Sequence, residues 1–453
     1  MLIRFVAKNI FSFKEETEFN LFPNKTQRLK HHKVVKNDVE FLRLSAIYGA
    51  NGSGKSNFIN SVSVLESMVE KGKLIPEIEQ MKFKLSDKNI SEPISLGIEF
   101  YAKSKIYYYS ITFNYGIILN EYLAESRKES DILIFDRNIE NNAQTISFYD
   151  EYTKDEKNKL FVEVLAEKLL QKDELLLSFL NSKYKGEFPD VDNSFDWFDT
   201  TLVIIKPDAK PSGIAHILDT KPKLKDFANT LIPTLNTGIS KIEVQKKRIE
   251  DVFEDIDKKK IKTLTEDLKK NDPDTLSVLT HSESGEEASL SYEDGKIFVK
   301  RLVTNHLNDK GFEVEFNVGM ESDGTKRLID YIPALNGIIN EDRVYLIDEI
   351  ERSIHPITIK DIITKISLDE VAKGQLIFTT HESCLLDQEI LRTDEIWFAQ
   401  KDVDGASKIY SLSEYNIHNT ANIENGYLNG RYGGIPFLSN LHDLNWHKYE
   451  ISN

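Results

Sequence analysis

Gly49, Gly54, Lys55 and Ser56 stand at the spacing G-x-x-x-x-G-K-[ST], the pattern of a segment that wraps phosphate. The segment reads Gly49-Ala50-Asn51-Gly52-Ser53-Gly54-Lys55-Ser56, and its glycines let the main chain close around an anion with N–H groups inward. Lys55 would reach the β- and γ-phosphates, and the Ser56 hydroxyl would ligate Mg²⁺. A nucleoside triphosphate also needs a carboxylate for its metal and a group that activates water. Asp348 and Glu349 supply both in a plausible form: Asp348 for Mg²⁺, and Glu349 to orient or deprotonate the attacking water. His381, at the end of an apolar run, is the candidate sensor of the γ-phosphate; the plainer reading of a histidine after a strand is structural. Ser322 and Gly324, at the start of a helical pattern, make a second anion site.

These residues need a frame. The apolar run Phe41–Tyr48 before the loop reads as a strand, and Phe58, Ile59, Val62, Leu65 and Val69 after it fall at the spacing of a one-sided helix. Together they aim several N–H groups and a helix N-terminus at one anion; without such flanks the pattern would be an ordinary glycine turn. Val344–Ile347 reads as a buried strand that delivers the two acids at its C-terminal end, where ligands of open α/β sheets bind. Gln375–Thr380 is another such strand and closes on His381. The segment from Glu321 opens a helix through Leu328, Ile329 and Ile332, with Pro333 as its expected kink or end.

At 453 residues the chain suits two or three domains with ample core. Hydrophobic content of 40% and charged content of 29% fit a soluble globular protein. No apolar run is long enough to span a bilayer, and the start Met1-Leu-Ile-Arg-Phe-Val is strand-like, so a cytoplasmic location with no membrane partner is expected. Cys384 is the only cysteine, which excludes disulfides within the chain and cysteine zinc sites. The net charge of −16 argues against a surface that clamps nucleic acid everywhere. Of two basic clusters, Lys25–Lys33 reads as a solvated loop in preference to a nucleotide or nucleic-acid flank, and Lys246-Lys247-Arg248 as the start of a solvated helix face.

Residues 1–150 are expected to hold the loop and a β-rich lobe, in which Ile94–Tyr101, Ile106–Phe113 and Ile117–Leu123 alternate with polar turns. Their tyrosines read as half-buried strand residues rather than base stackers. Residues 151–275 read as a mainly helical insertion. Its blocks are Tyr152–Leu180, with Leu160, Val164, Leu165, Leu169 and Leu176 at helical spacing, and about Arg248–Lys270, ended by Asn271-Asp-Pro-Asp274. Residues 276–453 return to β signal and then alternate helix and strand, the expectation for a parallel α/β sheet.

In this order, the phosphate loop, the insertion, the Ser322/Gly324 signature helix, Asp348-Glu349, Glu351-Arg-Ser-Ile-His-Pro356 and Thr380-His381 resemble the ABC-type ATPase heads of SMC, RecF and OLD-like proteins. The resemblance implies an α/β head with a mixed sheet and a β-meander lobe. It implies two copies sandwiching two ATP molecules with Mg²⁺, Ser322 and Gly324 of one chain contacting the γ-phosphate held by Lys55 of the other. Glu351 to His355 would form the D-loop at that junction. Glu321, Asp323 and Thr325 replace the Leu, Gly and Gln of the transporter signature, which disfavours transporter-like turnover, and Gln80 is the candidate glutamine lid.

Glu395–Phe398 and Asn422–Pro436 are similar to the ends of stand-alone bacterial ATPases of phage defence, the AbiL/RloA group and the PARIS ATPase AriA. That similarity implies an ATP-driven, homo-oligomeric sensor or scaffold for abortive infection. It would control a separately encoded effector nuclease or toxin, with DNA or a phage protein as trigger. A tight closing turn at Gly430–Gly434 is compatible with it. The alternative is a RecF/SMC-like DNA repair or maintenance ATPase that binds DNA directly. Asp402-Val-Asp404 has the D-x-D form of two metal carboxylates, but Gly405 and strand-like Lys408–Leu412 make a hairpin turn the simpler account. Too little chain follows it for a nuclease domain, so the expected activity is ATP hydrolysis alone.

Overall fold

The computed structural model describes residues 1–149, 151–211, 213–252, 266, 268, 277–280, 287–293, 295–415, 417–418 and 421–435. The chain divides into two compact units, one of Met1–Ile205, Arg343–Ile350 and Gln375–Asn453, the other of Lys206–Asp342 and Glu351–Gly374. The boundary in the sequence therefore falls at Ile205, inside the stretch expected to be one insertion.

The first unit is built on a mixed six-stranded sheet. Its order is Leu202–Ile205, Val344–Ile347, Gln375–Thr380, Leu44–Tyr48, Ile396–Lys401 and Ser407–Ser411; the first five are parallel and the last is antiparallel. Val344–Ile347, Gln375–Thr380 and Leu44–Tyr48 are buried along their whole length, as apolar strands covered on both faces must be. The histidine strand lies between the loop strand and the acid strand. Phe378 pairs with Ala46 on one side and Ile347 on the other, so Gly49, Asp348 and His381 leave the sheet along one edge.

A seven-stranded antiparallel sheet completes this unit, in the order Ala143–Phe148, Ile132–Glu140, Ile117–Glu125, Lys105–Asn114, Ile94–Ala102, Leu2–Lys8 and Thr17–Asn20. Tyr107 and Tyr109 are fully buried in it. An α/β head with a mixed sheet and a β-meander lobe is what the sequence leads one to expect. The run Phe41–Tyr48 is instead two strands, Val39–Leu42 and Leu44–Tyr48, because Val39–Leu42 pairs with Lys33–Lys36 in a separate hairpin.

The block Tyr152–Leu180 is broken into Glu156–Val164, a wide helical turn Leu165–Leu169, and Leu176–Lys183. The buried Glu121 carboxylate causes the restart: it accepts the N–H groups of Leu176 and Leu177 at 2.7 and 3.0 Å and pairs with the buried Arg137, capping the new helix from the β lobe. Leu160 and Leu169 are consequently exposed, while Val162 and Leu165 face the core. In the basic cluster, Lys25 and Gln27 are exposed loop residues as expected, and Lys30 is exposed at the start of the short helical turn Lys30–His32. His32 is not: it is buried against Glu395 at 2.8 Å, and Arg392 donates to the Arg28 carbonyl at 2.6 Å. Burial pushes the Glu395 carboxyl up, against the hydrogen bond from His32 that pulls it down.

The second unit contains a sheet in the order Ile239–Arg248, Lys296–Leu307, Glu287–Glu293 and Ser277–Thr280, with Glu313–Asn317 also on Lys296–Leu307. Lys246-Lys247-Arg248 end a strand rather than begin a helix face. Their backbone pairs with Phe298–Lys300, and Lys246 meets Glu293, so long-range pairing decides what local charge pattern could not. The remainder of the block Arg248–Lys270 beyond Val252 lies outside the described residues except for Glu266 and Leu268, as do Asn271–Asp274 and Pro436. The helix Asp323–Asn340 runs through Pro333 to Asn340. The proline removes one backbone hydrogen bond, and burial of Ile329, Ile332, Ala334, Leu335 and Ile338 on both sides of it outweighs that loss.

Candidate functional site

The chain leaves the buried strand at Gly49, where a Cβ would overlap the Ala399 carbonyl. A turn follows, closed by the Ser53 N–H on the Ala50 carbonyl at 3.1 Å. Gly52 and Gly54 take φ of 73° and 112°, backbone that glycine alone adopts without strain. The helix Lys55–Lys71 starts at once, held by buried Phe58, Ile59, Val62, Leu65 and Val69. Lys55 Nζ lies 2.6 Å from the Gly49 carbonyl, 3.2 Å from that of Ala50 and 3.4 Å from His381 Nδ1. An ammonium only donates, so Nδ1 of His381 is the accepting nitrogen. The loop lysine and the histidine of the neighbouring strand thus meet at one point.

Asp348 is 3% exposed. Its Oδ1 accepts the Thr379 hydroxyl at 2.5 Å, its N–H bonds the Ile205 carbonyl, and the Ile350 N–H bonds the Thr379 carbonyl. The Thr379 hydroxyl oxygen accepts the Glu349 N–H at 2.8 Å. Glu349 itself sits at φ 50°, which costs a residue with a side chain about 1–2 kcal/mol. Such strain is what one finds where a side chain must be aimed. Thr379 fixes both acids and was missed in the sequence. The available signal was a hydroxyl inside an apolar strand, which must find a partner when buried.

The donor set fits Mg²⁺. Thr379 occupies one Asp348 oxygen and leaves the other for a cation, and Ser56 offers a hydroxyl on the first helical turn. Oxygen ligands few in number suit an ion that keeps waters and takes phosphate oxygens as well. Gln80 lies in the short turn Ile78–Met81, whose Met81 carbonyl accepts the Phe11 N–H.

Ser322 and Gly324 belong to the second unit. Ser322 caps the helix Asp323–Asn340, its Oγ accepting the Thr325 N–H at 3.1 Å. A Cβ on Gly324 would stand 2.5 Å from the Ser353 carbonyl, so the signature glycine packs on the segment Glu351–His355. In that segment Arg352 pairs with Asp208 at 2.7 Å, and His355 Nδ1 caps the helix Pro356–Ser367 through the Ile357 N–H. Glu321, which departs from the transporter signature, accepts from Thr304 and His306 at 2.5 and 2.8 Å. Asp402-Val-Asp404 forms the hairpin turn between Ile396–Lys401 and Ser407–Ser411, with Asp402 N–H on the Ala406 carbonyl and its carboxylate on Lys408.

A family model described as "AAA domain, putative AbiEii toxin, Type IV TA system" matches residues 44–387. No curated protein matches the chain. Among solved structures, an SMC head domain from Thermotoga maritima is similar at 12% identity and TM-score 0.39, covering 90% of this chain and 98% of that one. A SmcHead bound to the C-winged helix domain of ScpA is similar at 13% and 0.42, covering 90% and 97%. An Smc head with an extended coiled coil, bound to the C-terminal domain of ScpA derived from Pyrococcus furiosus, is similar at 14% and 0.39, covering 90% and 96%. No helix of the described residues is long and apolar enough to cross a membrane.

Proposed function

The chain belongs to this family of AAA domains, and on that premise we propose that it binds and hydrolyses ATP at Gly49–Ser56. The observation that carries the proposal is the meeting of Lys55 with His381 beside an acid pair held by Thr379. The loop N–H groups and Lys55 hold the β- and γ-phosphates. Ser56 and Asp348 hold Mg²⁺, which when bound offsets charge on the phosphates. Glu349 orients the attacking water and accepts its proton, and His381 contacts the γ-phosphate.

Ser322 and Gly324 of a second copy complete the site, with Glu351–His355 at the junction, so ATP holds two copies together. The output of that closure is control of a separately encoded effector, a nuclease or toxin of phage defence, triggered by DNA or a phage protein. Two things support this reading: the C-terminal pattern Asn422–Pro436 and the toxin–antitoxin wording of the family description. A DNA-maintenance ATPase is the second reading, and the net charge of −16 weighs against it. The test is to purify Glu349→Gln with the products of adjacent genes, with and without ATP. An ATP-dependent assembly of two or more copies retaining a partner protein is expected. A variant that stays a single chain in ATP rejects the shared site, and one that retains DNA but no protein favours the second reading.

A further inference from the structure

Ser12 and Ser407 do not belong to the phosphate-loop pattern, yet both touch the loop. Ser407, on the antiparallel edge strand Ser407–Ser411, is 3% exposed, and Ser12, between the strands Leu2–Lys8 and Thr17–Asn20, is 7% exposed. The Ser407 hydroxyl donates to the Ser53 carbonyl at 2.7 Å, and its oxygen lies 2.8 Å from Ser12 Oγ. Ser12 Oγ accepts from Asn57 Nδ2 at 2.7 Å, and the Ser407 N–H bonds the Ser12 carbonyl at 2.7 Å. A Cβ on Gly54 would overlap Ser407, so the two segments touch at van der Waals distance.

The consequence concerns one peptide plane. The carbonyl of Ser53 and the N–H of Gly54 share it, and in a trans peptide they point in opposite directions. A donor that fixes the carbonyl toward Ser407 therefore turns the Gly54 N–H to the other face. It also polarises that N–H, which makes it a stronger donor. Without this bond the plane is free to flip, because glycine at position 54 opposes rotation least.

We propose that Ser407, supported by Ser12 and Asn57, is a positioning residue for phosphate binding, holding the Ser53–Gly54 peptide so that its N–H faces the nucleotide. The proposal rests on the ATP reading above. Preorganised donors bind an anion without the cost of ordering them at the moment of binding, so the effect belongs to affinity. The rate at saturation stays.

The test is ATP affinity by calorimetry and steady-state hydrolysis for Ser407→Ala, Ser12→Ala and Lys55→Ala. Ser407→Ala is expected to weaken ATP binding about three- to tenfold, the range of one hydrogen bond, and to raise KM alike with kcat within about twofold. Ser12→Ala keeps the bond to Ser53 and is expected to weaken binding about two- to threefold. It also carries the test if Ser407→Ala does not fold. Unchanged ATP affinity in both folded serine variants, with Lys55→Ala abolishing binding, overturns this proposal alone. Unchanged affinity in Lys55→Ala overturns the nucleotide reading instead.

Discussion

Replacing Thr379 with valine removes one hydroxyl and keeps the shape of a fully buried side chain. The hydroxyl donates to Asp348 at 2.5 Å and accepts from the Glu349 backbone at 2.8 Å. A hydrogen bond to a charged group contributes about 1.5–3 kcal/mol. If that energy holds Asp348 in its metal-binding position, its loss corresponds to about a 10- to 150-fold fall in Mg²⁺-dependent turnover. The orphaned Glu349 N–H adds a stability cost of about 1–3 kcal/mol. The assay is phosphate release across a Mg²⁺ titration, with ATP binding in EDTA as the reference. The expected result is slower turnover with a Mg²⁺ midpoint shifted upward, metal-free ATP affinity within about twofold, and recovery of most of the loss in Thr379→Ser. A folded Thr379→Val with the wild-type midpoint and rate would refute the role assigned to the hydroxyl.

Three further outcomes follow from the geometry. Glu349→Gly should abolish turnover and yet raise stability by about 0.5–1 kcal/mol, since φ 50° no longer opposes a side chain; a lower midpoint in denaturant would show that the backbone there is not strained. Gly324→Ala forces a Cβ against the Ser353 carbonyl and should destabilise the protein by about 1–3 kcal/mol, read by the melting temperature, and an unchanged melting temperature would show that the contact yields without cost. Burial would raise the Glu293 carboxyl, but hydrogen bonds from Lys246, Lys300 and Ser291 outweigh it and hold it at about 2, below the usual 4.5. Folding stabilisation from this group is therefore present above pH 4.5 and lost as pH falls toward 2. The melting temperature of Glu293→Gln should fall less over that window than that of the wild type, and equal falls would remove Glu293 from the acid response.

The parts legible in the sequence are those that chemistry forces into local spacing. Gly49 to Ser56 must be contiguous for one loop to wrap one anion, and Val344–Ile347 must be apolar to carry Asp348 and Glu349 inside a covered sheet. The β lobe and a parallel α/β sheet followed from hydrophobic periodicity, whereas the mixed character of the sheet, with its antiparallel edge strand Ser407–Ser411, followed from the resemblance. What escaped was set by residues remote in the chain. Glu121 reaches across to restart a helix at Leu176, Phe298–Lys300 draws Lys246–Arg248 into a strand, and Thr379 and Ser407 are defined by partners far from them in the chain. Pro333 misled because its local cost is real but smaller than the burial around it. The division at Ile205 was hidden because Leu202–Ile205 pairs with Val344–Ile347, a partner far along the chain.

The most direct test of the account is phosphate release from ATP and Mg²⁺ by the purified chain beside Lys55→Ala, with ATP affinity of both measured by calorimetry. Mg²⁺-dependent release by the wild type, and loss of both ATP binding and release in the variant, are the expected results. Full ATP affinity in a folded Lys55→Ala, or no release by the wild type with or without its neighbours' products, would contradict it.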